Sequence, residues 1–335
     1  MPLETGKFPR EVLEEIVFKH LGVPDGDVVL GPTFGEDAAI VRVADRLFAI
    51  ACDPITGAER WVGWLAVNAS ANDVAVQGVR PRWFVSCILL PRGADRPLVA
   101  RICEQIDEAC RRLSMRVIGG HAEITPGLTH PVVIGTSIGV TSGGFITSSG
   151  ARVGDRIVMT KGAGIEGTAI IASDLRERLR PKLGDPFLDE AESFFYKVSV
   201  VDEALTASSL GATAMHDPTE GGIAGGLHEL ADASGVGFRV RGRELFVHPI
   251  TSRLCRLLSI DPLGLISSGT LLATARPGDA QRIVEELKAG GTFAAVIGQI
   301  TPGSEGRLVE LEDGSTRRLP RPVCDEIWRA VAERL

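Results

Sequence analysis

The chain has 335 residues, which is enough for about two domains of ordinary size. An apolar fraction of 44% and a charged fraction of 24% are typical of a soluble globular protein, and no apolar run approaches the ~18 residues that span a bilayer. The formal net charge of −7, without a basic run, argues against a nucleic-acid partner. The N-terminal residues lack the apolar core of a signal peptide, so the predicted compartment is the cytoplasm.

The first half of the chain has the hydrophobic pattern of a sheet accompanied by helices. In chain order, the pattern predicts a helix over 9–21, strands over 38–43 and 47–52, a helix over 61–77, a strand over 83–90, a helix over 97–113, and strands over 115–118 and 131–140. Residues 141–150 are rich in Ser, Thr and Gly and are the best linker candidate.

After this linker, strands and helices begin again. The predicted strands span 155–160, 212–215, 236–240, 270–275 and 293–300, and the predicted helices span 168–179, 187–209, 220–234 and 279–289. Neither half has the strict alternation of a doubly wound sheet. This favours an α+β protein of two domains, residues 1–147 and 148–335, each a mixed sheet with helices on one face.

Acidic side chains lie at predicted strand ends and within one apolar helix. Asp37 and Asp53 flank the first two strands, whereas Asn72 and Asp73 lie in the small, apolar run 66–76. A single acid at a strand or helix end is usually a turn or cap residue. A carboxylate inside an apolar helix is costly to bury without a cationic partner. Because Mg²⁺ bridges carboxylates to substrate phosphates, a nucleotide–metal site would explain these side chains together.

The segment 118–127 places a histidine and a glutamate after two glycines. Gly119 and Gly120 let the backbone come close to a ligand. If the segment is extended, His121 and Glu123 point the same way. Such a pair can provide a general acid and base or lie near a metal, and it can equally be a hydrogen-bonded structural pair. Both interpretations stay open from these residues alone.

A glycine-rich turn joins the strand over 155–160 to the next helix. Gly162, Gly164 and Gly167 fit the spacing G-x-G-x-x-G. A dinucleotide site also needs an acid after a second strand about 20 residues later, and none follows clearly here. A loop that holds phosphate oxygens through its amides is therefore the better functional interpretation.

A second turn, residues 217–222, ends a strand and opens a helix. Free N–H groups in the first turn of a helix favour anions. A capping turn with Asp217 or Thr219 as the cap would explain the start of the helix equally well. It would not explain Gly221 and Gly222, which lower helix propensity and indicate close approach by a ligand or another backbone.

These motifs, in this order, resemble the AIR synthase-like (PurM-like) superfamily of ATP-using enzymes. The segments that carry the resemblance are GEDAAIV (35–41), NDVAVQGVRP (72–81), GGHAEITPG (119–127), GARVGDRIVMT (150–160), MHDPTEGGIAGGL (215–227) and SSGTLLATA (267–275). The resemblance covers nearly the whole chain and is greatest for archaeal-type HypE-like and AIR synthase-related proteins. It implies a two-domain protomer and a homodimer paired through its N-terminal sheets, with ATP and Mg²⁺ in a cleft between the subunits.

The resemblance also assigns residues to roles. It implies that Asp37, Asp53 and Asp73 are ligands of Mg²⁺. The candidate nucleotide-binding residues are Asp37, Asn72, Asp73, Gly119, Gly120, Gly162, Gly164, Thr219, Gly221 and Gly222. The candidate catalytic residues are His121, Glu123 and Asp217. Many relatives carry an acidic residue at position 121, where this chain has His121. Either Glu123 replaces that acid as a ligand of the metal, or one metal ion is absent.

The predicted function is that of an ATP- and Mg²⁺-dependent enzyme that activates or phosphorylates a carbonyl- or amide-type oxygen, of the HypE-like hydrogenase-maturation type. The expected partners are an unidentified acceptor and a maturation protein, with no nucleic acid and no membrane. One alternative is a small-molecule kinase or ligase of the same superfamily, acting in purine or thiamine-phosphate metabolism. The other is a nucleotide-binding maturation scaffold without catalysis.

The C-terminal segment departs from HypE proteins, in which a C-terminal cysteine receives the carbamoyl group that ATP activates for dehydration. Here Cys324 is followed by eleven residues, 325–335, whose apolar side chains lie on one face of a predicted helix. Because such a helix needs a docking surface, Cys324 is predicted to be a structural cysteine and not a carrier. The other five cysteines are predicted to be small, buried side chains with reduced thiols.

Overall fold

The computed structural model describes Leu3 and residues 6–331. Its helices are α1 (Arg10–Glu15), α2 (Val62–Val76), α3 (Arg96–Arg112), α4 (Ile165–Asp174), α5 (Arg176–Leu183), α6 (Asp185–Glu192), α7 (Val201–Ser209), α8 (Gly222–Ser234), α9 (Pro249–Leu258), α10 (Pro277–Ala289) and α11 (Glu326–Val331). Its strands are β1 (Val28–Leu30), β2 (Ala39–Val43), β3 (Arg46–Ile55), β4 (Pro81–Leu90), β5 (Arg116–Ile124), β6 (Val132–Thr141), β7 (Arg156–Thr160), β8 (Ala212–His216), β9 (Gly237–Arg241), β10 (Leu272–Ala275), β11 (Ala294–Thr301), β12 (Arg307–Glu310) and β13 (Thr316–Arg318).

The strands form two mixed sheets, one in each half of the chain. The first sheet has the order β1-β2-β3-β6-β4-β5, in which β4 and β5 are parallel and the other neighbours are antiparallel. The second has the order β13-β12-β9-β11-β7-β10-β8, in which β9 and β12 are parallel. The predicted α+β architecture of two mixed sheets with helices is thus confirmed. The segment between β6 and β7 contains the proposed domain boundary at 147/148 and a 3-10 helix, Ser148–Gly150.

Helix α2 lies at the centre of the molecule. All of its 15 residues are buried, because it packs against β3 and β6 on one side and against α3 and α7 on others. Its sequence is small and apolar around the whole circumference, which is the pattern of a helix surrounded by protein. Within residues 6–331, no helix combines the length and the apolarity needed to cross a membrane. Asn72 and Asp73 are polar but lie in the interior, because the helix that carries them is surrounded by protein.

The predicted helix over 187–209 is wrong. The structure has α6, a 3-10 helix at Ser193–Lys197, and then α7. The Asn72 side chain explains the interruption: its Nδ2 donates to the carbonyl of Val198 (2.8 Å), and its Oδ1 accepts from the amide of Val200 (2.8 Å). These backbone groups bond a side chain of the other half of the protein, so they do not continue the helical ladder.

Other differences concern elements that the hydrophobic pattern does not predict. The helix predicted over 168–179 is divided at Leu175 between α4 and α5, and α9, β12 and β13 are absent from the prediction. The strand predicted over 115–118 continues to Ile124 as β5. The helix predicted over 325–335 is present as α11, and its last residues, 332–335, lie outside the described part of the chain.

The prediction that the first five cysteines are buried is wrong for two of them. Cys110 and Cys255 are buried, Cys87 is half-buried, and Cys52 and Cys103 are exposed. Cys103 and Cys110 share α3, which buries only one of its faces, and Cys103 lies on the solvent side. Composition cannot distinguish the two sides of such a helix. Cys324 is also exposed.

Strand β5 forms one edge of the first sheet, next to β4 alone among the described strands. Every one of its 9 residues is exposed in the single chain, although Val117, Ile118 and Ile124 are apolar. A long edge strand with apolar side chains is unusual in a monomer, because its free N–H and C=O groups and its apolar surface favour association.

Candidate functional site

The structure brings together four aspartates that are far apart in sequence. Asp37 precedes β2, Asp53 lies in β3, Asp73 lies in α2, and Asp217 follows β8. The carboxyl of Asp73 is hydrogen-bonded to that of Asp53 and lies within electrostatic range of Asp37 and Asp217. The Nδ2 atom of Asn72 donates to Oδ2 of Asp217 (2.8 Å). Helix α2 thus joins the acids of the first sheet to the acid of the second.

The environment of Asp73 favours a cation. Burial raises the pKa of this carboxyl well above its ordinary value, and the neighbouring Asp53, Asp37 and Asp217 raise it further. Two carboxyl groups in contact share a proton, because both ionise only when a cation lies between them. Among the described residues, no three His, Cys, Asp or Glu side chains are already arranged as a complete metal site. Paired carboxylate oxygens nevertheless fit Mg²⁺, which completes its shell with water and phosphate oxygens.

Asp217 has one oxygen atom without a partner. Its side chain is 1% exposed, Oδ2 is held by Asn72, and Oδ1 is buried without a hydrogen bond among the described residues. Burial raises the pKa of Asp217 to about 7, although the hydrogen bond from Asn72 opposes this shift. A buried acceptor without a donor is unfavourable, and such atoms are usually satisfied by water or a ligand.

His216 connects Asp37 to Glu229, and sequence reasoning did not identify it. Its Nδ1 donates to Oδ2 of Asp37 (2.8 Å), and its Nε2 donates to Oε2 of Glu229 (2.8 Å). Burial disfavours the charged ring, but the two carboxylates outweigh burial and raise the pKa of His216 to about 10. The imidazolium therefore fixes the position of Asp37, which also accepts a hydrogen bond from Oγ of Ser148 (3.2 Å).

The N-terminal segment also contributes to this cluster. Nζ of Lys7 lies 3.6 Å from Oε1 of Glu229, and the amide of Lys7 donates to Oε2 of Glu220 (3.1 Å). Although burial opposes ionisation of Glu229, Lys7 and His216 hold the pKa of this carboxyl far below its ordinary value. The cluster therefore has two cationic groups, Lys7 and His216, beside Glu229 of α8.

The first glycine turn has internal partners for the amides that sequence analysis assigned to phosphate. The amide of Gly162 donates to the carbonyl of Thr160 (2.6 Å), and the amide of Gly164 donates to Oγ of Ser267 (2.8 Å). Gly164 has a left-handed φ of 69°, which favours glycine. A phosphate at either amide would have to displace an existing hydrogen bond.

The second glycine turn also has partners for its amides. Gly221 and Gly222 have left-handed φ angles of 82° and 58°, and a Cβ on Gly222 would lie 2.4 Å from the carbonyl oxygen of Leu265. The amide of Gly222 donates to the carbonyl of Thr219 (3.0 Å). The amide of Gly221 donates to Oδ2 of Asp325 (2.6 Å), a residue of the C-terminal segment. An anion therefore does bind at this turn, and it belongs to the chain itself.

The structure does not bring His121 and Glu123 to the aspartates of the same chain. Both lie on the exposed edge strand β5, where Nε2 of His121 is 3.2 Å from Oε2 of Glu123. Strand β5 is separated from β3, and so from Asp53, by three strand spacings of ~4.8 Å, or roughly 14 Å. Gly120 on the same strand has a packing role, since a Cβ there would lie 2.3 Å from the carbonyl oxygen of Ser86, and Gly119 has open space.

Glu166 is a second buried carboxyl that sequence reasoning missed. It lies in the first turn of α4 and is 4% exposed. Burial raises its pKa to about 8, against a hydrogen bond with Ser268, and Asp217, Asp325 and Glu220 add to the increase. His216 lies within the motif MHDPTEGG, and Glu166 lies within KGAGIEG. Membership of a motif was therefore the signal in the sequence that could have identified them.

Two family models match the chain and together define its class. Residues 35–141 match the N-terminal domain of AIR synthase related proteins, and residues 152–310 match the C-terminal domain of the same group. A carbamoyl dehydratase HypE of Azotobacter vinelandii is 32% identical over 256 residues, which cover 75% of this chain and 72% of that protein. The chain therefore belongs to the HypE family of AIR synthase-related proteins.

Solved structures agree with this fold. The structure of a HypE–HypF complex superimposes with a TM-score of 0.77 at 21% identity, covering 93% of this chain and 99% of the other. The structure of a HypE hydrogenase maturation protein in complex with ATP superimposes with a TM-score of 0.71 at 21% identity, covering 97% of each chain. At this level of identity the likeness shows the fold alone.

Proposed function

We propose that this protein is an ATP- and Mg²⁺-dependent enzyme of hydrogenase maturation that activates a carbonyl- or amide-type oxygen. The reaction class is dehydration of a carbamoyl group, in which the oxygen leaves as phosphate. The observation that carries the proposal is the buried carboxyl of Asp73 beside that of Asp53: burial raises the pKa of Asp73, Asp53 raises it further, and both effects favour a cation. The relationship to a carbamoyl dehydratase supports the reaction class.

The roles of the residues follow from the site. Asp37, Asp53 and Asp73 would hold Mg²⁺, which would neutralise the charge that develops on the transferred phosphate. His216 would keep Asp37 oriented through its bond to Oδ2. Asp217, whose Oδ1 has no hydrogen-bond partner among the described residues, would accept a proton or a donor group from the bound substrate.

Calorimetric titration with Mg-ATP tests this function directly. The wild-type protein is expected to bind Mg-ATP and to require the metal for binding. Turnover with a carbamoyl acceptor would support the dehydratase, and turnover with a small-molecule phosphate acceptor would favour the kinase or ligase alternative. Binding without turnover under any acceptor or with any partner protein would favour the scaffold. A complete lack of Mg-ATP binding would contradict the proposal.

We further propose that the protein is a homodimer paired through β5. Pairing would cover the apolar side chains of this exposed strand and would place His121 and Glu123 of one subunit at the cleft of the other. This arrangement would reconcile their candidate catalytic role with their distance from Asp53 in one chain. A maturation partner of the HypF type is a further proposal, suggested by the complex of a structural relative.

Ile118→Asp should dissociate this dimer. Ile118 is 54% exposed in the single chain, so the substitution places a charge in the interface without disturbing the core. Light scattering is expected to give a dimer for the wild type and a monomer for the variant. Val153→Asp is the matched control, since Val153 is an exposed residue (59%) that precedes β7 of the second sheet. A wild-type monomer, or an Ile118→Asp dimer of unchanged stability, would contradict the proposed interface.

We propose that Cys324 does not carry the carbamoyl group. Although Cys324 is exposed, its partial desolvation and the nearby Asp325 and Glu220 raise the pKa of its thiol, which disfavours the nucleophilic thiolate. The residue that follows it, Asp325, is buried (3% exposed) and anchors this part of the chain on the protein. Cys324→Ser is therefore expected to leave ATP turnover with a carbamoyl acceptor unchanged. A covalent carbamoyl or cyano adduct on Cys324, detected by mass spectrometry, would refute this assignment.

A further inference from the structure

The C-terminal segment forms a strap, defined here as residues 319–331, that crosses α8, contacts the second glycine turn through Asp325 and ends with α11. Near its start, Nε2 of His228 donates to the carbonyl of Leu319 (3.0 Å). Two residues further along the chain, the guanidinium of Arg321 forms an ion pair with Asp232 of α8. The strap thus runs from the C-terminal half of α8 toward its N-terminus.

Asp325 is the third anchor of the strap. Its carboxylate is 3% exposed and accepts three backbone hydrogen bonds, from Gly221 (2.6 Å), Ile266 (3.2 Å) and Ile327 (2.7 Å). Gly221 is the N-cap of α8, so the carboxylate caps this helix as well as α11. The side chain therefore occupies the N–H groups that a small anion would use.

Apolar packing supports the anchors on both sides of Asp325. A Cβ on Gly221 would lie 3.7 Å from Cβ of Pro322, so the strap covers this glycine closely. After Asp325, α11 packs against α4, with Ile327 and Ala330 buried (3% and 4% exposed). Gly221 and Gly222 are buried while the strap is docked, whereas Thr219 and Glu220 are half-buried.

Burial, and to a smaller extent the charge of Glu220, opposes the docked position of the ionised Asp325. Burial raises the pKa of this carboxyl to about 6, in spite of its three backbone hydrogen bonds, and Glu220 adds to the increase. Asp325 in turn raises the pKa of the buried Glu166. The strap therefore docks through hydrogen bonds and packing, against the cost of burying the carboxylate of Asp325.

We propose that Asp325 is an intramolecular competitor for the anion site at Gly221, so that the strap must leave this turn when a nucleotide phosphate binds there. The amide of Gly221 has one hydrogen to donate, and the short bond to Oδ2 of Asp325 uses it. A phosphate oxygen and the carboxylate cannot share this donor, and two anions at one helix N-terminus repel each other. The inference rests on the proposed function, because it takes the 217–222 turn as part of the nucleotide site.

Substitution of Asp325 tests the competition. Asp325→Asn removes the negative charge and weakens docking, so Mg-ATP is expected to bind about three- to tenfold more tightly than to the wild type. Asp313→Asn is the matched control, since Asp313 also accepts a backbone amide, from Ser315 (2.9 Å), in an exposed turn outside the strap. The control is expected to bind as the wild type does.

The outcomes separate this inference from the proposed function. Equal or weaker affinity of Asp325→Asn, beside a wild type that binds Mg-ATP, would overturn the competition and leave the function standing. If the wild type and both variants fail to bind Mg-ATP, the proposed function fails and the competition with it. Tighter binding by both variants would point to a general charge effect and would also overturn the competition.

Amide hydrogen exchange provides a second measurement on the unaltered chain. Saturating Mg-ATP is expected to accelerate exchange of the peptides that cover the strap, because the amides of Ile327 and its neighbours lose their bonds when the strap leaves. Exchange in β3 should not accelerate, which gives an internal reference. Slower exchange of the strap with nucleotide would mean that it closes over the ligand, and this result would overturn the proposal.

Discussion

Asp73→Asn is expected to weaken Mg-ATP binding tenfold or more while the metal-free protein becomes more stable. The loss of affinity and the gain in stability have the same cause, which is removal of the negative charge of Asp73. Burial, Asp53 and Asp37 disfavour the ionised Asp73 carboxyl when no cation is present, and asparagine removes that unfavourable charge. The same charge attracts Mg²⁺, so its loss costs about 1.4 kcal/mol or more of binding free energy.

Calorimetry with Mg-ATP and thermal unfolding in a chelator measure the two effects of Asp73→Asn separately. Asp107→Asn is the matched control, since Asp107 forms an exposed ion pair with Arg111 on the surface of α3. This control should change neither the affinity nor the unfolding temperature appreciably. A destabilised Asp73→Asn protein would mean that Asp73 has a structural role, and unchanged affinity would remove it from the metal site.

His216→Gln should destabilise the metal-free protein by roughly 3 kcal/mol at neutral pH. The substitution leaves the carboxylates of Asp37 and Glu229 without the buried cation that joins them. The wild type should also lose stability with increasing pH. Because the pKa of His216 is raised from 6.5 to about 10 in the folded state, its contribution is complete below pH 6.5 and is lost as the pH rises toward 10.

Urea unfolding at several pH values, in the presence of a chelator, tests this prediction. The wild-type free energy of unfolding should fall between pH 6.5 and 10, and His216→Gln should show a flatter profile over the same interval. His20→Gln, at an exposed position that only bonds the carbonyl of Ile16, should behave as the wild type does. Parallel profiles for the wild type and His216→Gln would mean that His216 is not the bridging cation.

The sequence was most informative where local pattern and tertiary environment agree. Helix α2 was predictable because its small apolar residues leave no polar face, and this pattern requires burial on all sides. The same argument identified Asp73 as a buried carboxylate that needs a cation. The glycine pair Gly221–Gly222 was predictable for a similar reason, since two glycines at a helix start indicate close approach by another group.

The tertiary structure decided which groups meet. The sequence by itself determined two α+β halves, an acidic site at strand ends, and the identity of Asp37, Asp53 and Asp73 as candidates. It did not determine that His216 joins Asp37 to Glu229, that His121 lies on an exposed edge, or that Asp325 fills the turn at Gly221. These contacts join residues from 13 to 179 positions apart. Periodicity and local turn chemistry report only neighbours along the chain, so long-range pairing of charges is decided by the fold.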